Sequence, residues 1–539
     1  AECQTYLERR RVGTGRDRRG NRRATAFDGC HRCSTRRARN PRSSDNARNV
    51  PSVMEADGCA VCGAPAAQRC ANCLAARYCG RAHQRAHWTE GGHKSACRPY
   101  VVASSPELGR HWVTVRDVAV GEVLLEERPL AVGPKAGSPP VCLTCYAPAT
   151  GHACSGCGWP VCGPRCEAAP VHRLAECSLV RGHFDERRAG SYCFVLPLRC
   201  MLLRDDRGRA FRSLQSHLDR RLDTPLYRAY AVNVAAYALD RLGLRAAGHD
   251  ERSALHAAAV LDTNAFEVRR PGGRKFRAVY ADASMMAHSC TPNTKHVFVG
   301  DAADGWPSIR VVATVPIGRG SPVTATYTQT LWCTRDRRQH LLAAKCFECV
   351  CARCADPSEL GTHLGSVTCP ECDRGRAASD ATGRWLCTAC GRQAADVDVT
   401  EAERVVRALD KTDCTGFERF LERVREGTMT PLHDDHYVTV GVKYALVQLY
   451  ADRIPDLSAK QLKNNTKICE ELLRLADVLE PGITRFRGLL LFYLVCGLKK
   501  LKRIKKKSNY DEIIKNYTEK SVAIFKTEPD LDYLIDRLQ

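Results

Sequence analysis

Apolar and polar positions change period several times along this chain. From His111 to Leu125 (His-Trp-Val-Thr-Val-Arg-Asp-Val-Ala-Val-Gly-Glu-Val-Leu-Leu) they alternate, which predicts two β-strands joined by a Gly turn. Between residues 195 and 260 Leu and Ala recur at helical spacing, most clearly from Tyr227 to Leu242, and predict a helical insert. Strand-like runs return at Phe276–Tyr280, His296–Val299 and Ile309–Val315. After about Thr400 the pattern becomes that of long amphipathic helices, Tyr437–Tyr450, Ala459–Leu479 and Phe486–Leu498, with Pro481-Gly482 as a break between two of them. Helices alternating with short breaks suit a tetratricopeptide-like stack, although no strict repeat is visible. The first 57 residues are rich in Arg, Asn and Ser and show no apolar period, so a disordered arm is expected there. Its lone pair, Cys30 and Cys33, has no second pair nearby and is read as incidental. The expected fold class is therefore α+β and multi-domain, and 539 residues suit roughly three or four folded units.

Composition changes this picture in two ways. The formal charge of +22 points towards nucleic acid, but residues 1–50 and the run from Lys499 to Lys507 hold most of it, and the remainder is only weakly basic. The lysine run reads as a solvated helix face. Nucleic-acid binding is not expected, also because the fingers described next are expected to lack the helix of a DNA-reading finger. The longest apolar run, Gly488–Leu498, falls well short of the roughly 18 residues that span a bilayer, and no apolar signal segment opens the chain. The 31 cysteines are odd in number and mostly paired as C-x-x-C among histidines, which is metal-ligand spacing and fits a reducing compartment. An intracellular protein, nuclear or cytoplasmic, is expected.

Eight thiol or imidazole ligands lie within one short segment: Cys59, Cys62, Cys70, Cys73, Cys79, His83, His93 and Cys97. Two tetrahedral Zn²⁺ ions need that number, and so short and polar a segment takes much of its folding free energy from the metal. Tyr78-Cys79, His87-Trp88 and His93-Lys94 with Cys97 resemble the MYND zinc finger. The resemblance implies interleaved sites, one from Cys59, Cys62, Cys79 and His83, the other from Cys70, Cys73, His93 and Cys97. His83 stands where the family usually has Cys; His87 beside Trp88 is read as a packing residue. A second block repeats the pattern with Cys142, Cys145, Cys154, Cys157, Cys162, Cys166, His172 and Cys177, its last pair one residue longer than usual. Cys349, Cys351 and Cys354 follow as three ligands without a local fourth, then Cys369, Cys372, Cys387 and Cys390 as a ribbon-like set. Seven further cysteines (193, 200, 333, 346, 414, 469 and 496) lack paired spacing and read as small buried hydrophobes.

Ala287-His-Ser-Cys-Thr-Pro-Asn293 resembles the Asn-His-Ser-Cys-x-Pro-Asn signature of SET-domain lysine methyltransferases. Thr263-Asn264-Ala-Phe266 precedes it, and Tyr327 and then Phe347-x-Cys349-x-Cys351-x2-Cys354 follow in the order of that pattern. The resemblance implies Cys290 as the fourth ligand beside Cys349, Cys351 and Cys354, giving about six zinc ions in all. The whole arrangement resembles the SET-and-MYND family, and the phrases Arg353-Cys-Ala-Asp-Pro-Ser-Glu-Leu-Gly-Thr362 and Glu480-Pro-Gly with Arg485-x-Arg-Gly488 fit its arthropod SmydA branch. It implies a β-rich SET fold in two parts (103–141 and 276–345) interrupted by a second finger (142–178) and a helical insert (179–275). The extra finger at 58–98 stands before it, with a post-SET and ribbon region (346–395) and an all-helical domain (396–539) behind.

Transfer of a methyl group from S-adenosylmethionine to a protein lysine is the activity so implied. Such a reaction needs a desolvated, neutral amine, whose reference pKa is about 10.4, aligned with the sulfonium methyl. By family position Tyr327 would orient the amine; Gly109 and Arg110, Asn264 and His288 would contact the cofactor; Phe347 would wall the channel. The fingers resemble modules that bind proline-rich peptides. Three departures stand in the site: Ala287 replaces Asn, Lys345 replaces an aromatic, and Gly320-Ser-Pro322 replaces a Gly-Glu-Glu turn. One lost hydrogen bond to a charged group costs about 1.5 to 3 kcal/mol, or about ten- to a hundredfold in affinity. A second reading follows from them, an inactive SET scaffold acting as a protein-binding adaptor or transcriptional regulator.

Overall fold

Four small sheets make up the β-rich core. In the computed structural model the described residues are 58–183, 192–269, 275–300, 306–372, 375–380, 384–394, 398–505 and 510–538. The arm 1–57 with Cys30 and Cys33, and Lys506 and Lys507 of the basic run, lie outside the described residues. The first finger contains a nine-residue helix, α1 (Arg81–Thr89), started by the i,i+4 ligands Cys79 and His83. Strands β1 (Tyr100–Ser105) and β2 (Gly109–Thr114) form an antiparallel hairpin. The sequence reading passed over β1 because it alternates weakly and directly follows the ligand Cys97.

The two strands expected between His111 and Leu125 exist, but they do not pair. β3 (Val123–Glu127) leaves β2 through a turn at Gly121, whose φ of +81° favours glycine. It joins a different sheet. β4 (Ala131–Pro134) is followed by the second finger and then by the insert, which contains helices α2 (Val195–Met201) and α3 (Glu251–Asn264). Strands β5 (Phe266–Arg269) and β6 (Lys275–Val279) come next, and β6 pairs with both β4 and β5. The signature strand β7 (Ala287–His288) precedes β8 (Thr294–Val299) and β9 (Ser308–Ala313), and β9 lies between β8 and β3. β10 (Thr324–Ala325) pairs in parallel with β7, Thr324 opposite Ala287 and Ala325 opposite His288. Helix α4 (Thr334–Lys345) then leads into the post-SET cysteines.

These sheets share one core of Trp112, Leu125, Phe276, Tyr280, Ile309 and Val323, with the Tyr100 and Trp112 rings stacked 3.9 Å apart. Glu127 holds the turn after β6: its buried carboxylate accepts from the amides of Ala281 (2.7 Å), Asp282 (3.0 Å) and Ala283 (2.9 Å). Burial raises its pKa, while the three donors stabilise the charge. The turn so fixed delivers residues 284–288 to the site described below.

A single buried arginine ties the second finger to the core. Arg199 on α2 donates to Glu176 (2.6 and 2.7 Å), to the Val132 carbonyl of β4 (2.9 Å), to the Leu143 carbonyl (2.8 Å) and to the Tyr146 hydroxyl (2.6 Å). Glu176 in turn lies 3.2 Å from Nδ1 of the ligand His172. Burial alone would raise the Glu176 pKa, but Arg199 and His172 hold it low.

Behind the ribbon strands come α5 (Thr400–Ala408), α6 (Cys414–Arg425), α7 (Tyr437–Asp452), α8 (Ala459–Leu479), α9 (Arg485–Lys505) and α10 (Asp511–Phe525). The apolar run Gly488–Leu498 is inside α9 and largely buried there; no helix among the described residues is long and apolar enough to cross a membrane. The break between α8 and α9 presses on the core: Ile483 N donates to the Thr314 carbonyl (3.2 Å), and a Cβ at Gly482 (φ +88°) would stand 1.8 Å from that oxygen. Lys295 Nζ of β8 bonds Glu528 and Thr527, both at 2.7 Å, across the same seam, and within the array Arg485 bonds Asp530 at 2.8 Å.

Gly482→Ala is expected to lower unfolding stability by about 2 kcal/mol or more, read by denaturant titration, because it adds both strain and a clash with main chain. Glu176→Gln is expected to weaken metal retention about 10- to 100-fold at the Cys154, Cys157, His172 and Cys177 group, read by chelator competition, with the other groups unchanged.

Candidate functional site

Ligand spacing becomes geometry in five four-residue groups, each with its donor atoms within 4.8 Å of one another. They are Cys59, Cys62, Cys79, His83; Cys70, Cys73, His93, Cys97; Cys142, Cys145, Cys162, Cys166; Cys154, Cys157, His172, Cys177; and Cys290, Cys349, Cys351, Cys354. The ribbon thiols also meet, Cys369 with Cys390 at 3.9 Å and Cys372 with Cys387 at 3.8 Å. Zn–S bonds of about 2.3 Å in a tetrahedron set the sulfurs about 3.8 Å apart, whereas a disulfide needs about 2.05 Å. Observed separations run from 3.4 Å (Cys145 to Cys162) to 3.9 Å, and these cysteines form no disulfides. Soft donors at these distances fit Zn²⁺. His87 stays outside both groups of the first finger: it stacks on His93 with ring centroids 5.0 Å apart, and its Nδ1 lies 3.0 Å from the Tyr78 hydroxyl. Of the unpaired cysteines, 200, 333, 346, 414 and 469 are buried and 193 and 496 partly so.

The group at Cys290 joins the signature strand to the chain end of the core. Cys290 Sγ lies 3.9 Å from Cys349 and 3.5 Å from Cys354. Arg337 of α4, fully buried, donates to Cys290 Sγ (3.2 Å) and Cys354 Sγ (3.4 Å), offsetting the excess negative charge that one dication leaves on four thiolates. Glu359 balances Arg337 at 2.7 Å and Arg353 at 3.1 Å, and Arg353 also holds the Thr330 and Trp332 carbonyls, each at 3.0 Å. The sequence marks Arg353 and Glu359 only as part of a phrase and does not mark Arg337, since their partners are brought together only by the folded loop after α4.

Next to this centre is a cavity of about 520 Å³ lined by Gly109, Arg110, Asn264, His288, Tyr327 and Phe347, the six positions expected from the sequence, and also by Ala287 and Lys345. Part of its remaining wall, with Gln215, His217 and Arg220, comes from the helical insert and carries no sequence signal that marked it; the rest comes from the β1–β2 turn, residues 284–286 and Cys346. Tyr327 N donates to His288 Nδ1 (3.0 Å), so the proton on Nε2 faces Cys290 Sγ (3.2 Å). Burial drops the His288 pKa to about 4, so the imidazole is neutral. Both ring nitrogens are thereby engaged, and His288 offers the cavity its ring and main chain. The Tyr327 hydroxyl donates to the Met286 carbonyl, and burial raises its pKa to about 12. Asn264 donates to the Gln215 (2.8 Å) and Val260 (2.7 Å) carbonyls, leaving its side-chain oxygen for a ligand. Arg110 holds the insert through the Ser213 carbonyl (2.6 Å), and Gly109 turns at φ +63°. The Phe347 ring centroid is 5.9 Å from that of His288.

Two departures have visible consequences. Ala287 is buried where the amide would stand, opposite Thr324. The Ser321-Pro322 turn is held without its acids: Thr114 N donates to Ser321 O (3.0 Å), Asn293 Nδ2 donates to Pro322 O (2.9 Å), and Asn293 Oδ1 accepts from Thr324 N (2.8 Å). Asn293 thus pins β10 beside β7 and brings Tyr327 to the cavity.

The family model described as the MYND finger matches residues 59–97. The chain is 33% identical over 292 residues to the SET domain-containing protein SmydA-8, isoform B, of Drosophila melanogaster, covering 50% of this chain and 60% of that protein. It is 27% identical over 277 residues to the histone-lysine N-methyltransferase ASHR1 of Arabidopsis thaliana (47% of this chain, 55% of that protein). Over 76 residues it is 36% identical to the human histone-lysine N-methyltransferase SMYD3 (14% and 16%). The chain therefore spans at most about 60% of the length of these relatives. With the interleaved finger, the signature at residues 287–293 and these relatives together, the chain carries a MYND finger and is similar to SET-and-MYND proteins, those of the arthropod SmydA branch included.

Proposed function

We propose that this protein is an S-adenosylmethionine-dependent protein-lysine N-methyltransferase of the nucleus or cytoplasm whose MYND-type fingers dock partner peptides, proline-rich ones included. The observation that carries the reading is the convergence of residues from five separate segments (109–110, 264, 288, 327 and 347) on one cavity. A volume of about 520 Å³ suits a small cofactor, whose usual sites measure about 300 to 1,000 Å³. The cofactor, when bound, supplies an electrophilic methyl group on a sulfonium.

The chain's own part is to bind, orient and keep water out. Asn264 O and the main chain at 109–110 and 288 offer polar contacts, while Phe347 and the His288 ring supply a flat wall. Tyr327 stays protonated, and its hydroxyl hydrogen is committed to Met286 O, so the phenol oxygen accepts a hydrogen bond from an incoming amine and aims it. His288 holds the Tyr327 main chain in register. A neutral His288 with both nitrogens engaged is a positioning residue and removes no proton.

Calorimetric titration of zinc-replete protein with S-adenosylmethionine and S-adenosylhomocysteine is expected to give micromolar binding, and Ala287→Asn to tighten it about tenfold or more by restoring an amide. Folded, metallated wild type and Ala287→Asn that both give no heat would overturn the enzyme reading. Metal analysis is expected to find about six Zn²⁺ per chain, one for each four-ligand group. Four or fewer would mean that one finger is wrongly paired.

A further inference from the structure

The cavity holds a cation of the chain's own. Lys345, the last residue of α4, donates from Nζ to the Asp262 carbonyl (3.2 Å) and the Thr263 carbonyl (2.5 Å), and Nζ lies 5.5 Å from the centroid of the Tyr327 ring. Two last-turn carbonyls of α3 and one aromatic face are what an ammonium seeks when water is scarce. They hold this one beside the tyrosine.

The charges packed around it are not balanced. Arg277 lies against the same helix end, bonded to the Leu261 carbonyl (2.7 Å) and the Asp262 carboxylate (3.0 Å), and Arg221 donates to Thr263 Oγ1 (3.1 Å) and the Ala344 carbonyl (3.0 Å). Asp262 is the acid nearest to it, and Arg277 and Tyr230 already share its carboxylate. Arg110, Arg220, His217 and His288 also line the cavity, Arg220 donating to the Cys346 carbonyl (2.8 Å) beside Lys345, and Glu107 is the only carboxylate in its lining among the described residues. No carboxylate among the described residues forms an ion pair with Lys345. Burial, with Arg277 and Arg221 adding to it and Asp262 opposing, pulls its pKa down to about 8.

We propose that Lys345 sets the charge preference of this cavity, disfavouring the cationic sulfonium of S-adenosylmethionine and favouring the neutral thioether of S-adenosylhomocysteine. The proposal rests on the methyltransferase reading of the same cavity. A lysine that only capped α3 would matter equally for both ligands, because they differ by one methyl group and one positive charge. Two like charges inside a cavity of this size repel by enough to shift an equilibrium about tenfold or more at the effective dielectric of a protein site.

The test measures dissociation constants of both ligands for the full chain and for Lys345→Met, between pH 7 and pH 9. In the wild type the ratio Kd(sulfonium)/Kd(thioether) is expected to fall as the pH rises through about 8, where the ammonium loses its proton. Lys345→Met is expected to lower the ratio about tenfold at pH 7 and to make it flat with pH. The α-amino group titrates in the same window but is common to both ligands and cancels in the ratio. His217 and His288, both held below their usual pKa, and Tyr327, held above its own, keep one form throughout. Should Lys345→Met unfold, the wild-type pH series alone decides. A ratio that is flat in the wild type, or unmoved by the substitution while both ligands bind, overturns the proposal and leaves the methyltransferase reading standing. Binding of neither ligand to either protein overturns that reading and the proposal with it.

Discussion

Four thiols from two distant stretches of chain meet at Cys290, and the candidate site is assembled around that meeting. Without a shared metal ion the group is unfavourable, because buried thiolates repel and each needs desolvation. With one, and with Arg337 donating to two of the sulfurs, the signature strand is fastened to the post-SET loop. His288 passes that fixation on, with one ring nitrogen at Cys290 and the other at the Tyr327 amide. Metal occupancy and tyrosine position are therefore two ends of a path only two hydrogen bonds long. Phe347, two residues before Cys349, is set by the same closure.

The parts outside the sheets are attached by charged groups that find several partners at once, main-chain for Arg199 and Glu127 and side-chain for Lys295. Arg199 holds the second finger, Lys295 holds the helical array, and Glu127 holds the turn into the signature. None of these ties gains much from Coulomb attraction alone after desolvation. Their effect is on specificity: each group is satisfied in one arrangement of the parts and left unpaired in others. A protein with zinc-dependent segments too small to bury cores of their own has particular use for such ties.

Much of this was legible in the sequence, and the reason lies in how local each signal is. Metal-ligand spacing is short-range, so both fingers and the ribbon could be read from C-x-x-C pairs; the helical insert and the helices after Thr400 follow from periodicity. Joining Cys290 to the post-SET cysteines required the family pattern, since nothing local links residue 290 to 349. What escaped was long-range. β1 carried too weak an alternation beside a metal ligand, and β2 and β3 looked like neighbours because they adjoin in sequence, although each pairs elsewhere. The partners of Arg199 lie 23 to 67 residues away, and no window of the sequence contains them together. Lys345 could be seen as an exception to a pattern, but its contact with the end of α3 belongs to the folded chain.

The contact at Gly482 has a mechanical meaning. Two helices joined by a Pro-Gly break would ordinarily swing about it, with the loop as a soft pivot. Here the pivot is jammed, because Thr314 O occupies the space that even a methyl group at residue 482 would need. At this point the helical array meets the sheet with main chain against main chain, and the side-chain contacts of Lys295 lie to one side of it. A substituent at residue 482 could be housed only by moving the sheet's own main chain away from the helices.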